Sequence, residues 1–223
     1  MQTPSLLNMN YKSILEEIVE RSYNLLLAQI SNGRICIDNE ASFQLQFSNI
    51  LKVIGELHQF SPNDLFTIKL ETPFLSKVEL AKSGSKKAKI DITLALENRS
   101  IPESKVSCAI ELKYFQKANQ REPNNRYDAF NDVLNLENYI ESGTYCFGVF
   151  IVGTDHTHYV LKDKYSEKTK DFDMRDAVTY VAEKELIYRT EDPYGTPIKL
   201  KNNYAFHWDQ LSNEVFFMKL YIE

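Results

Sequence analysis

Nowhere in its 223 residues does the chain hold an apolar run long enough to cross a membrane. Its longest apolar stretches are short, as in Tyr145–Gly153, and a spanning helix takes about 20 residues. The first ten residues lack the charged start and apolar run of a signal peptide, so a cytoplasmic location is expected, with no membrane partner. Glycine and proline are scarce, seven of each, which excludes collagen-like and low-complexity chains. Cysteine is scarcer still. Cys36, Cys108 and Cys146 are odd in number and widely spaced, so buried, reduced thiols are expected rather than a disulfide framework. Excess positive charge is also missing. The chain has 26 basic and 31 acidic residues and a net charge of −5, so contact with nucleic acid would have to rest on a local basic patch. There is no Gly-rich phosphate loop, no internal repeat and no local motif for Ser/His/Asp or Cys/His catalysis.

What is present is a chain that is 43% hydrophobic, enough for one α/β domain with a real core. Residues 11–31 have helical periodicity, with Ile14, Ile18, Val19, Tyr23, Leu25 and Leu26 on a stripe that Asn32-Gly33 ends. A second helix is expected from about Asn39 to Phe60, capped by Asp38 or Asn39, with Phe43, Phe47, Ile50, Leu51, Ile54 and Leu57 on one face. The period then shortens to two. Phe66–Leu70, Ile90–Leu96 and Val106–Phe115 read as strands of an antiparallel meander, and Phe74–Leu80 as strand or loop. A polar loop, 116–125, leads into a third helix, 126–141, and then into Tyr145–Val152, a strand buried on both faces. The tail reads as a charged, mobile loop over 163–173, a short helix at 174–182, and late strands at 205–208 and 214–222.

Chemistry concentrates in two of these strands. Side chains alternate along a strand, so Glu111 and Lys113 share one face while Val106, Cys108, Ile110, Leu112 and Tyr114 share the other. Asp91 stands between Ile90 and Ile92, 20 residues before Glu111. If the two strands pair as a hairpin, the two carboxylates can meet at one metal ion. Two carboxylates give Mg²⁺ hard oxygen ligands and leave positions for water and phosphate. A neighbouring lysine can stabilise developing negative charge or act on the attacking water.

In Ile90-Asp91 and Glu111-Leu112-Lys113 the chain resembles the PD-(D/E)XK, or restriction endonuclease-like, nuclease superfamily. Asp91 matches the first acidic position and Glu111-Leu112-Lys113 the (D/E)-X-K element; Ile90 stands where the motif has proline. Many members carry a glutamate on the helix before the meander, and Glu40 fits that place. The resemblance implies an α/β fold with a mixed central β-sheet flanked by helices, an αβββαβ core over about residues 38–153. A helix at 11–31 would precede that core, and an extension, 154–223, would follow it in a single nuclease-like domain. It implies a Mg²⁺-dependent endonuclease, Mn²⁺ being an alternative metal, acting on DNA or, as a second option, RNA, in a restriction or other defence role. Asp91 and Glu111 would hold the metal, Lys113 would act on the water or phosphate, and Glu40 would assist. Cutting both strands with one site per chain would call for a homodimer. Two alternatives stay open: a catalytically inactive nucleic-acid-binding module on the same fold, and a protein-interaction domain in which Asp91, Glu111 and Lys113 are ion pairs only.

Candidate phosphate contacts flank the motif: Lys82, Lys86, Lys87 and Lys89 before Asp91, and Lys117, Arg121 and Arg126 after Lys113. Asp128 and Asp132 read as a solvated helical face. Glu71 ranks below Glu40 as a site residue. Asp155, His156 and His158 lack the spacing of a zinc site.

Overall fold

The structure is a computed structural model that describes residues 11–74, 88–101, 103–212 and 215–223. Two helices come first, α1 (Tyr11–Ser31) and α2 (Glu40–Glu56). Strands β1 (Asp64–Phe74), β2 (Ala88–Asn98) and β3 (Val106–Phe115) follow, then α3 (Glu122–Glu141) and β4 (Phe147–Thr154). The remainder holds the short strands β5 (Thr179–Tyr180), β6 (Glu185–Leu186), β7 (Ile198–Lys199) and β8 (Tyr204–Ala205), and the longer β9 (Trp208–Ser212) and β10 (Val215–Ile222). Among the described residues, six strands form one mixed sheet in the order β1-β2-β3-β4-β10-β9. β3 and β4 run parallel, joined by α3, and the other neighbours are antiparallel. No helix among the described residues is long and apolar enough to cross a membrane.

The sheet divides the core in two. Ile92, Leu94, Leu96, Cys108, Ile110 and Leu112 pack beneath α1 and α2 with Phe43, Phe47 and Leu51. Ala109, Phe115, Phe150 and Val152 face α3 and the C-terminal segment. The alternation read from β3 therefore sets its two faces, and β4 is buried along its whole length, as expected for a parallel strand covered by helices on both sides. On α1, Leu15, Ser22 and Leu27 are buried, while Leu25, counted in the apolar stripe, is 41% exposed.

Asn39 caps α2: its Oδ1 accepts the Ser42 N–H at 2.8 Å, and Ser42 Oγ accepts the Asn39 N–H at 3.1 Å. The helix stops at Glu56, so Leu57 and Phe60 lie beyond it and are exposed. Helix α3 begins at Glu122, four residues before the expected start, with Pro123 in its first turn. Proline has no N–H to lose there and its fixed φ suits a helix start.

The tail departs further from expectation. Residues 174–182 form turns and β5, with no helix. The charged 163–173 segment is pinned rather than loose: Thr169, Asp171 and Phe172 are buried, and Arg175 bonds the Lys162 and Asp163 carbonyls. Of the cysteines only Cys108 is buried; Cys36 and Cys146 lie in connections and are exposed, and all three are free.

Candidate active site

The ladder between β2 and β3 stops at Ile92↔Ile110. Extending that register by one residue sets Asp91 opposite Glu111, since 92 + 110 = 91 + 111. There the Asp91 carboxylate takes over from a backbone carbonyl: its Oδ2 accepts the Leu112 N–H at 2.7 Å. On the other side, β1 breaks its pairing at Glu71, whose φ is +50°. Ile90 and Ile92 consequently fall in different cores, Ile90 toward α3 and Ile92 toward α1 and α2. Asp91 thus sits at an irregularity in its strand, not within the unbroken alternation expected of it. Gln44 of α2 holds the irregularity, its Nε2 donating to the Asp91 carbonyl at 2.8 Å and to Glu71 Oε1 at 3.1 Å.

Glu111 projects toward α3 and is wholly buried. The Tyr139 hydroxyl donates to its Oε1 at 3.3 Å. Two residues on, Lys113 turns its ammonium to three groups: Asp132 Oδ2 at 2.9 Å, the Leu112 carbonyl at 3.2 Å and Glu40 Oε1 at 3.4 Å. Burial disfavours the charged lysine, but Asp132, Glu40, Asp91 and Glu111 together outweigh it and hold its pKa well above the usual lysine range. The acids around Lys113 thus favour its charged form at neutral pH. Glu40, at the first turn of α2, has its carboxyl raised by desolvation; Lys113 pulls it back, and Asp91 and Asp132 push it further up. Glu111 is closed off from solvent, while Asp91 is half-buried and Glu40 exposed.

The fold thus brings Glu40, Asp91, Glu111 and Lys113 to one place, and adds Asp132, Tyr139 and Gln44. Asp132 is the most telling addition. An acid pair at positions i and i+4 reads as a solvated face, yet Asp132 is 3% exposed and is the nearest carboxylate to Lys113. What distinguishes it is that Asp128, Asp132 and Tyr139 share a helical stripe that adjoins the one formed by Ala129, Val133 and Leu136.

The basic residues separate. Arg121 and Lys117 are exposed beside the site, and Lys89 is exposed and 3.5 Å from Glu71. Lys82, Lys86 and Lys87 lie outside the described residues. Arg126 is not a phosphate contact. It is 1% exposed, donates to the Thr169 carbonyl at 3.1 Å, Thr169 Oγ1 at 2.8 Å and the Phe172 carbonyl at 2.8 Å, and lies 3.5 Å from the Tyr165 ring centroid. Its charge is spent tying the C-terminal segment to α3. Replacing Arg126 with methionine should therefore strand those buried acceptors and lower stability by about 3 kcal/mol. Nucleic-acid affinity of the folded protein should not change; a selective loss of affinity at unchanged melting temperature would return Arg126 to the binding surface.

Asp155, His156 and His158 do not converge. Asp155 accepts the Lys117 N–H at 2.6 Å and His156 pairs with Glu122 at 3.1 Å, while burial lowers the His158 pKa to about 4. Among the described residues no three His, Cys, Asp or Glu side chains are grouped to hold a metal ion. A Mg²⁺ ion needs no such cage, since it commonly takes one or two carboxylates and fills its shell with water and substrate oxygen. Asp91 and Glu111 suit that role, in a site that gathers four acidic side chains around one ammonium. No protein-family model, no curated protein and no solved structure matches this chain.

Proposed function

We propose that this chain is a metal-dependent nuclease of the PD-(D/E)XK type, with Asp91 and Glu111 as ligands of Mg²⁺ and DNA as substrate. One observation carries the reading: the Lys113 ammonium lies 2.9 Å from Asp132 of α3 and 3.4 Å from Glu40 of α2, beside Glu111 of its own strand and Asp91 of β2. A surface ion-pair ladder would not bury Glu111 and Asp132 almost completely. Nor would it gather charge of one sign, because like charges repel and weaken the fold unless something else is meant to join them.

When bound, Mg²⁺ would polarise the phosphate and make bound water more acidic. The protein's own groups do the rest. Lys113 offers a positive charge where the phosphate gains negative charge, and Asp132 keeps it in place with the ammonium 2.9 Å away. Tyr139 orients Glu111 from behind, and the Leu112 N–H orients Asp91. Glu40, exposed and with a raised carboxyl, is the acid of the four best placed to exchange protons with water. A restriction or other defence role follows only from the resemblance. Cutting both strands would take two copies of the chain.

The test is Mg²⁺-dependent cleavage of plasmid DNA, together with melting temperature with and without Mg²⁺. The wild type should cut in Mg²⁺ and stop in EDTA. At a Mg²⁺ concentration 100 times its Kd it should gain about 2.7 kcal/mol of stability. Asp91→Asn should lose both responses. A wild type that cleaves neither DNA nor RNA with Mg²⁺ or Mn²⁺, and whose melting temperature ignores both ions, would leave Asp91, Glu111 and Lys113 as structural ion pairs. A wild type that binds DNA with no metal response would point to an inactive binding module.

A further inference from the structure

The C-terminal segment brings an aromatic ring to the basic residue that opens α3. Arg121, just before the helix, is exposed; its Nη2 donates to the Tyr194 hydroxyl at 3.1 Å and lies 3.8 Å from Asp128 Oδ2. The same hydroxyl donates to Asp128 Oδ2 at 3.3 Å. Asp128 precedes Asp132 by one turn of α3, roughly 6 Å along the axis, and it senses both Asp132 and Lys113 electrostatically. Arg121 and Tyr194 therefore stand one helical turn from the Lys113–Asp132 pair.

The ring is held there by construction. The Tyr127 hydroxyl donates to the Thr196 carbonyl at 3.0 Å and the Tyr188 hydroxyl to Asn124 Oδ1 at 2.9 Å, which fastens residues 188–196 to the first turns of α3. Gly195 has φ +140°, and a Cβ there would lie 2.4 Å from the Tyr127 hydroxyl, so the backbone beside Tyr194 presses directly on the helix. Its two ring neighbours meet Tyr194 at a tilt, Tyr127 at 86° and Tyr188 at 51°, and 37% of the residue stays exposed. Its hydroxyl is committed to Arg121 and Asp128, but no ring among the described residues stacks parallel on it. A guanidinium beside an open aromatic face matches the two halves of a nucleotide, phosphate on the charge and base on the ring.

We infer that Arg121 and Tyr194 form a nucleotide subsite next to Lys113, taking a phosphate on the guanidinium and an unstacked base on the tyrosine ring. This rests on the nuclease reading and narrows it. Bases in an intact duplex are stacked on one another and cannot reach the ring, so the preferred ligand is single-stranded nucleic acid.

The test is fluorescence anisotropy of a labelled single-stranded DNA oligonucleotide. Ca²⁺ is used in place of Mg²⁺ because it keeps the charge without the tight octahedral geometry. Tyr194→Ala should weaken binding about tenfold, the scale of one base stacked on an aromatic ring. Tyr194→Phe, which keeps the ring, should stay within about twofold of wild type. Arg121→Ala should weaken binding and reduce the slope of log affinity against log salt by about 0.7. Both positions are exposed, so melting temperatures should hold and report correct folding. If Tyr194→Ala binds as tightly as wild type while the wild type still cuts DNA in Mg²⁺, the subsite falls and the nuclease reading stands. If the blunt duplex binds as tightly as the single strand, the preference for unpaired nucleotides falls. A wild type that neither binds the strand nor cuts sinks both.

Discussion

Replacing Lys113 with methionine is expected to lower stability by about 3 kcal/mol at neutral pH and to abolish Mg²⁺-dependent cleavage. Methionine keeps much of the stem but leaves Asp132, with 4% of its side chain exposed, next to three other acids without their cation. Breaking a buried pair from one side typically costs about 3–5 kcal/mol, and the partial exposure of Lys113 argues for the lower end. For a domain near this size that is about 6–12 °C in melting temperature. The loss should depend on pH. The Glu40 carboxyl already sits above its usual range through desolvation, and Lys113 is what pulls it back. Without the ammonium its folded pKa rises further above its unfolded value. A carboxyl raised in the folded state favours folding where it is protonated, so the gap between variant and wild type should narrow as pH falls from 7 toward 5. Mg²⁺ should also rescue the variant's stability more than it raises that of the wild type. A gap that ignores both pH and Mg²⁺ would mean that the acids are not coupled through Lys113.

Glu111→Gln should behave in the opposite way. Glutamine keeps the shape and can still accept from the Tyr139 hydroxyl. It replaces a wholly buried carboxyl, one of four acids around Lys113, with a neutral amide. Without metal, the melting temperature should stay level or rise. Cleavage should fall by roughly a thousandfold, the scale of a preorganised electrostatic group. A variant that melts as low as Lys113→Met would make Glu111 a structural partner of the lysine rather than a ligand. The two substitutions thus separate stability from activity at neighbouring positions on one strand.

Periodicity made the frame of this site legible in the sequence. Alternation in Val106–Phe115 sorts Glu111 and Lys113 onto one face, and the order of two helices, three strands, helix and strand follows from apolar spacing. What periodicity cannot see is the partner supplied by a distant element. Arg126 and Arg121 are alike as letters in a polar stretch. One is buried because Tyr165, Thr169 and Phe172, some 40 residues on, close over it, and the other is exposed. Asp132 looks solvated for the same reason, since its partner Lys113 lies on another element. The irregularity at Asp91 was illegible because it depends on Glu71 across the sheet adopting a left-handed backbone, unusual for a residue with a Cβ. The early start of α3 is hidden in the sequence because Pro123 and Asn124-Asn125 are turn residues as well as helix openers.

The position of β10 in the sheet has a kinetic consequence. It pairs with β4 from Phe216↔Thr154 to Ile222↔Gly148, so the chain must run from residue 155 to residue 214 before the central sheet can be completed. Closing so long a loop costs entropy before any contact repays it, and β3 and β4 must also find each other in parallel across α3. Folding should therefore be slow for a chain of this size, with the β1–β3 meander formed early and β10 docking late. Until β10 docks, one edge of β4, a strand buried along its whole length in the finished fold, is open to strand pairing with other chains. Refolding yield should thus fall with protein concentration, and α3 with its Arg126 anchor is the element that limits the loss, because it holds part of that loop close to the sheet before the last strand arrives.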